Sequence, residues 1–124
     1  MTFLDTHALI WLVTGESDKF DKKTLDSLQR KELFVSPMVL LEIEYLHEIK
    51  RLKYGADRFL EIAAAEGGVQ VAKAPFAYII HGSLLEHWTR DPFDRIIVAQ
   101  ARLNKAPLLT LDRVILKNYH RAYW

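Results

Sequence analysis

Four acidic residues stand where their carboxylates could converge on a divalent cation. Asp5 and Asp112 each follow a short apolar segment, whereas Glu42 and Asp94 lie in longer segments with helical periodicity. Carboxylates at close range repel one another and raise one another's pKa, so a shared pocket needs a cation. Mg²⁺ and Mn²⁺ prefer oxygen ligands, and such a site can activate water for in-line attack on a phosphodiester.

Each of these acids also has a structural explanation that the sequence leaves open. Asp94 is the third residue after Asp91, and both could stabilise the start of a helix. Asp112 could be an ordinary turn residue. Asp5 and Glu42 have apolar neighbours in the sequence, so each could instead belong to a buried salt bridge.

Short apolar strands that alternate with helices must position these side chains. Strands are predicted at residues 3–5, 33–36, 69–72 and 108–111, and helices at 6–13, 22–30, 38–51, 56–66, 75–85 and 91–104. Thr6 is the predicted N-cap of the first helix. This alternation predicts an α/β fold with a mainly parallel sheet of four or five short strands and helices on both faces. Asp5 and Asp112 then share the crevice beyond the carboxyl ends of the strands.

Length and composition limit the architecture and the class of protein. A chain of 124 residues with 50% hydrophobic residues predicts one domain over residues 1–124. The absence of cysteine excludes disulfides and thiolate chemistry. No signal-peptide pattern or membrane-spanning run is present, which favours a cytoplasmic protein with no membrane partner. The net charge of +1 differs from the strongly basic composition of duplex-coating proteins.

Four stretches of the sequence together resemble those of a known family. They are DTHALIW at residues 5–11, Ser36-Pro37 with Glu42, RDPFDR at residues 90–95, and LTLD at residues 109–112. In this order they resemble the PIN-domain nucleases, particularly the VapC-type toxins of type II toxin–antitoxin pairs, over nearly the whole chain. The resemblance implies a three-layer PIN-like sandwich and an endoribonuclease that depends on Mg²⁺ or Mn²⁺.

The resemblance also assigns roles to particular residues. The catalytic and metal-binding acids would be Asp5, Glu42, Asp94 and Asp112. Thr110 matches a residue that supports the site through hydrogen bonds, and Asp91 would make water-mediated contacts. The implied partners are an RNA substrate, a second copy of the chain in a homodimer, and a cognate antitoxin whose helix binds an apolar groove.

Basic and aromatic residues near these motifs could contact RNA. Arg95 and Arg113 stand next to proposed acids and are predicted to contact phosphates. His7 is interpreted as a structural histidine, because Mg²⁺ and Mn²⁺ sites favour oxygen ligands. Trp11 and Trp124 could stack on bases, although core packing or a protein interface explains them more simply.

Two other functions compete with a nuclease. In a phosphatase of the haloacid dehalogenase kind, Asp5 would be the nucleophile, but the second aspartate expected two positions later is replaced by His7. A non-catalytic RNA- or protein-binding module with the same fold is the other alternative. The presence of all four acids argues against it.

Overall fold

The computed structural model describes every residue, from Met1 to Trp124. Five short strands and seven α-helices alternate along the chain, with one 3-10 turn at Ser17–Lys19. In chain order they are β1 (Thr2–Leu4), α1 (Thr6–Thr14), α2 (Lys22–Leu28), β2 (Leu33–Val35), α3 (Pro37–Glu48), α4 (Ala56–Gly67), β3 (Gln70–Val71), α5 (Phe76–Ser83), α6 (Pro92–Leu103), β4 (Leu108–Leu109), α7 (Arg113–Asn118) and β5 (Ala122–Tyr123).

The strands form one sheet in the order β3-β2-β1-β4-β5, and all four neighbouring pairs are parallel. The central strand is β1, in which Phe3 is aligned with Phe34 of β2 on one side and with Leu108 of β4 on the other. Every residue of β1 is buried, as expected for a parallel strand covered on both faces. The sheet and its flanking helices confirm the predicted α/β sandwich.

The direction of the chain across the sheet reverses at β1. The chain runs outward from β1 to β2 and β3, then returns past β1 to β4 and β5. The connections that leave β1 and β4 therefore head toward opposite edges of the sheet. In parallel α/β sheets, a crevice opens at such a point, beyond the carboxyl ends of the two strands.

The N-cap of the first helix lies one residue earlier than the sequence predicts. The N-cap of α1 is Asp5, whose Oδ1 accepts a hydrogen bond from the backbone N–H of Ala8 at 2.8 Å. Thr6, the predicted cap, is buried in the first turn, and its hydroxyl donates instead to Glu42. The carboxylate of Asp5 takes the cap position because it reaches the free N–H groups of the first turn.

The C-terminal segment adds elements that the sequence pattern did not locate. Helix α7 and the edge strand β5 complete the sheet, although β5 contains only Ala122–Tyr123. Tyr119 is buried in the core, and its hydroxyl donates to the carbonyl of Ala106. The ring of Trp124 stacks on Phe20, with 4.6 Å between centroids. None of the seven helices is both long enough and apolar enough to cross a bilayer.

Candidate active site

An acidic cleft of about 320 Å³ opens beyond the carboxyl ends of β1 and β4. It is lined by the four acids that the sequence analysis selected, by Asp91, and by Thr6, His7, Trp11, Ile97 and Leu111. Five carboxylates from four segments of the chain thus share one cleft. No lysine or arginine is among its lining residues.

Asp5 is the most buried of these carboxylates, at 7% exposure. Its Oδ1 accepts the N–H of Ala8, and its Oδ2 accepts the hydroxyl of Thr110. Burial raises the pKa of Asp5, and the hydrogen bonds from Thr110 and Ala8 oppose this effect without cancelling it. These two hydrogen bonds therefore hold the Asp5 carboxylate in one orientation. Burial makes the negatively charged form of this carboxylate unfavourable when no cation compensates it.

Glu42 comes from the middle of α3 and is half-buried, although its apolar neighbours in the sequence suggest full burial. Its Oε2 accepts the hydroxyl of Thr6 at 2.9 Å, which joins α3 to the first turn of α1. Burial raises the pKa of Glu42, while Thr6 and the nearby charge of His7 lower it. Glu42 is partly exposed because it faces the cleft.

Asp94 lies in the first turn of α6 and is also half-buried. Its pKa is raised from 3.8 to about 7, first by burial and then by the charges of the other four cleft carboxylates. No hydrogen bond to its side chain offsets this effect. The Asp94 carboxylate therefore carries the clearest electrostatic signature of acids that share one cleft.

Asp91 and Asp112 are both helix caps; the sequence analysis allowed this for Asp91, whereas its structural alternative for Asp112 was a turn residue. Asp91 accepts the N–H groups of Phe93 and Asp94 at the start of α6. Asp112 does the same at the start of α7, where its Oδ1 accepts the N–H of Val114 at 2.8 Å. Both side chains nevertheless line the cleft, so capping fixes their position without removing them from it.

Thr110 connects two of the acids from a fully buried position at the end of β4. Its hydroxyl donates to Oδ2 of Asp5 and accepts the N–H of Asp112 at 3.0 Å. Because the hydroxyl has one hydrogen, the accepted bond from Asp112 leaves that hydrogen directed at Asp5. Thr110 thus holds the Asp5 carboxylate through a hydrogen bond, and the supporting role in the site that the resemblance implies for it stays a prediction.

The salt-bridge explanation for Asp5 and Glu42 finds no support in the structure. The two ion pairs of the chain are Arg58–Glu61 and Arg102–Glu86, and both lie outside the cleft. The only basic side chain that lines the cleft is that of His7. The buried and half-buried carboxylates thus lack an arginine or lysine partner, which buried charges normally require.

The two arginines predicted to bind RNA differ in their availability. Arg95 is half-buried, and its Nε donates to the carbonyl of Thr89 at 2.8 Å, which ties α6 to the preceding turn. Arg113 is exposed at the first position of α7, directly after Asp112. Arg113 is therefore the freer of the two cations beside the cleft.

The donor chemistry of the cleft fits a hard divalent cation. Its candidate ligands are carboxylate oxygens, which Mg²⁺ and Mn²⁺ favour, and Asp94 has no hydrogen-bond partner to displace. No three histidine or acidic side chains are gathered closely enough to hold an ion as they stand. Mg²⁺ commonly keeps several waters and binds only one or two carboxylates directly, so the looser spacing is compatible with it.

The parallel α/β sandwich has its acid cluster beyond the carboxyl ends of β1 and β4, where the chain direction across the sheet reverses. Together these features define a class of α/β domains whose cleft offers oxygen ligands to a cation. The PIN domain family model matches residues 2–121 of the chain. The protein therefore belongs to the PIN domain family, whose members are generally nucleases.

Solved structures share this fold at low sequence identity. The chain is similar to VapBC2 from Rickettsia felis, solved bound to a DNA fragment from its promoter, with 18% identity, a TM-score of 0.65, and coverage of 94% of this chain and 91% of that one. It is also similar to a toxin–antitoxin complex from Klebsiella pneumoniae, with 16% identity, a TM-score of 0.65, and coverage of 100% and 97%. No curated protein matches the sequence.

The sequence analysis missed three contributions of α1 to the cleft. Thr6 binds Glu42 instead of capping the helix, His7 is exposed at the cleft with its ring centroid 5.8 Å from that of Trp11, and Trp11 lines the same cleft. The spacing of His7 and Trp11 was the available signal, since residues four apart lie on one helix face. Which face of α1 meets the cleft depends on Asp5, and not Thr6, being the N-cap of that helix.

Proposed function

We propose that the protein is an endoribonuclease that depends on Mg²⁺ or Mn²⁺ and acts as the VapC-type toxin of a toxin–antitoxin pair. The observation that carries the proposal is the cleft of five carboxylates without an arginine or lysine partner. Burial and mutual repulsion raise the pKa of Asp94 to about 7, so keeping these carboxylates charged in one cleft is energetically unfavourable. A non-catalytic module would have no physical reason to keep such an arrangement.

Different residues of the chain would have different roles in such a site. Asp5, Glu42, Asp94 and Asp112 would hold the cation, and Asp91 would reach it through water. Thr110 and the N–H of Ala8 fix both oxygens of Asp5, while Thr6 fixes one oxygen of Glu42.

A bound divalent cation would supply Lewis-acid stabilisation of the charge that develops on the phosphodiester. The preset orientations of Asp5 and Glu42 reduce the reorganisation needed when the substrate binds. Arg113, exposed beside Asp112, is placed to contact a neighbouring phosphate, and Arg95 would contribute through the part of its guanidinium that Thr89 does not occupy.

An apolar groove of about 460 Å³ supports the antitoxin part of the proposal. It lies between α1, α2 and α4, and we call it the α1–α4 groove; its apolar lining is Leu9, Leu12, Val13, Leu25, Leu28, Leu33, Ala63 and Val69. Lys31 and Glu66 stand at the groove as well. An amphipathic antitoxin helix with an apolar face and flanking charges fits this lining. The similar structures are themselves toxin–antitoxin complexes.

We also propose that the toxin is a homodimer that acts in the cytoplasm. Light scattering of the purified chain, with and without the product of the neighbouring gene, tests the dimer and the antitoxin complex together. A mass that corresponds to a heterocomplex supports the pairing. A chain that shows only its own mass in every mixture contradicts it.

The nuclease assignment is tested by cleavage of RNA by antitoxin-free protein. We expect cleavage with Mg²⁺ or Mn²⁺, loss of cleavage in EDTA, and loss of cleavage in Asp94→Asn. The matched control is Asp21→Asn, because Asp21 caps the exposed helix α2 in the same manner but lies outside the cleft. Cleavage that persists in EDTA, or equal activity in Asp94→Asn and Asp21→Asn, refutes the assignment. Mapping the 5′ ends of the fragments then identifies the target RNA.

A further inference from the structure

Helix α2 separates two concavities of opposite chemistry. On one face of the helix, Leu25 and Leu28 line the apolar α1–α4 groove. On the opposite face is a hollow of about 720 Å³ without a hydrophobic lining residue, which we call the α2 hollow. The groove and the hollow meet at Lys31, which lines both. The α2 hollow is lined by Lys22, Lys23, Asp26, Ser27, Arg30 and Lys31.

The positive charge of the α2 hollow is not neutralised within the chain. Four cations line it against one carboxylate, whereas the whole chain has a net charge of only +1. Both ion pairs of the chain lie elsewhere, so the carboxylate of Asp26 pairs with none of these cations. The side chains of Lys22, Lys23 and Arg30 are exposed and belong to neither ion pair. The hollow is therefore a local concentration of accessible positive charge.

The fold gains little from this concentration of charge. Lys22 and Lys23 occupy the first turn of α2, which contains no acidic residue, and the helix dipole opposes positive charge at that end. Like charges that line one hollow also repel one another. A partner that brings negative charge to the hollow relieves both effects. The α2 hollow therefore has the electrostatic character of a surface that binds an acidic partner.

The position of the α2 hollow connects it with the groove and separates it from the acidic cleft. Lys31 comes two residues before Leu33, the first residue of β2, so this end of the hollow lies at the amino ends of the strands. The acidic cleft lies beyond the carboxyl ends of β1 and β4, at the opposite edge of the same parallel sheet. A polypeptide that leaves the groove past Lys31 thus enters the hollow, whereas a phosphodiester in the cleft lies across the sheet from it.

We infer that the α2 hollow binds an acidic segment of the antitoxin, adjacent in sequence to the apolar helix that occupies the α1–α4 groove. The inference rests on the proposed toxin–antitoxin pairing and defines the chemistry of the partner as an apolar helix flanked by aspartate or glutamate residues. Carboxylates of this segment form ion pairs with Lys22, Lys23 and Arg30. Because these cations are exposed, they control the rate and the salt dependence of association more than the final affinity.

The first experiment measures the rate of association of the purified chain with the product of the neighbouring gene. We expect Lys22→Gln/Arg30→Gln to lower the rate about tenfold at about 0.1 M salt and much less at about 1 M salt, where charges are screened. The matched control, Lys73→Gln/Lys117→Gln, removes the same charge from exposed positions outside both concavities and should leave the rate near that of wild type. Urea unfolding of both variants should match wild type, because all four side chains are exposed. Equal association rates for the two variants refute the inference.

The second experiment locates the contact in the complex. A carbodiimide joins a lysine amine to a neighbouring carboxylate as an amide, and mass spectrometry identifies the two linked residues. We expect Lys22 or Lys23 to be linked to an aspartate or glutamate of the antitoxin. Replacing that acid with lysine should slow association with the wild-type chain, and Lys22→Glu should restore the rate with that antitoxin variant. A complex in which neither lysine is linked to an antitoxin carboxylate refutes the inference.

The remaining outcomes identify another occupant or a failure of the pairing itself. If Lys22→Gln/Arg30→Gln binds the antitoxin as wild type does but cleaves RNA more slowly than Lys73→Gln/Lys117→Gln, the hollow binds RNA and the inference is wrong. If light scattering shows that only the first variant loses a dimer of the free chain, the occupant is a second copy and the inference is again wrong. If wild type forms no complex with the neighbouring product, the pairing fails and the inference fails with it. A complex to which the hollow contributes nothing refutes only the inference.

Discussion

The pKa of Asp94 predicts that the metal-free protein loses stability as the pH rises. In the unfolded chain this carboxyl titrates near 3.8, and in the fold at about 7, so between these values the folded state binds more protons. Stability contributed by protonated Asp94 is complete below pH 3.8 and is lost as the pH rises toward and through 7. Each pKa unit corresponds to about 1.4 kcal/mol, or about 4 kcal/mol for the whole interval. Solvent screens a half-exposed carboxylate, which reduces this to about 2 kcal/mol.

Urea unfolding of wild type and Asp94→Asn at pH 4 and pH 8, in EDTA, measures this effect. The free energy of unfolding of Asp94→Asn relative to wild type should rise by about 2 kcal/mol between the two pH values. Mg²⁺ at pH 8 should restore stability to wild type and much less to the variant, because the cation replaces the proton.

Asp21→Asn provides a control of opposite sign. The N–H of Thr24 lowers the pKa of Asp21, so stability from this cap is present above its unfolded pKa and is lost as the pH falls. Both pH values lie above the unfolded pKa of 3.8, so the stability of wild type relative to Asp21→Asn should stay nearly constant between pH 4 and pH 8. Parallel pH profiles for wild type and Asp94→Asn would refute the convergence of charge on Asp94.

Three further predictions concern residues around the cleft and the groove. Thr110→Val should destabilise the protein by about 1–3 kcal/mol in chemical denaturation, because it leaves a buried carboxylate oxygen and an N–H without their partner, whereas Thr110→Ser should retain cleavage activity. Glu86→Gln should cost about 2 kcal/mol, since the side chain is 3% exposed and pairs with Arg102, which is itself partly hydrated. Leu12→Glu should abolish co-purification with the antitoxin without reducing cleavage, while Leu84→Glu, at an exposed site outside the α1–α4 groove, should leave the complex intact.

The sequence predicts the architecture well because the pattern of its strands, the pattern of its helices and their order along the chain all indicate the same fold. Apolar strands alternating with amphipathic helices require a parallel sheet, and the strand-end rule then places Asp5 and Asp112 together. The strand β5 was not located, because two residues at a sheet edge leave no periodicity.

The partners of the cleft residues could not be predicted to the same degree. That Thr6 binds Glu42, that Thr89 occupies the Nε of Arg95, and that Trp11 faces the cleft all depend on tertiary contacts across many residues. Asp91 shows why a choice between capping and function was unresolved, since one side chain can both cap a helix and line the cleft.

The order of the strands also bears on when the cleft comes into existence during synthesis. The strand β4, which lies beside β1, begins only at Leu108, Thr110 and Asp112 follow it, and the edge strand comes at Ala122–Tyr123. A ribosome that has made the first hundred residues thus carries a chain whose Asp5 lacks its hydroxyl donor and one of its neighbouring carboxylates. The toxin we propose would become competent only after β4 and Asp112 have left the ribosome and β4 has paired with β1.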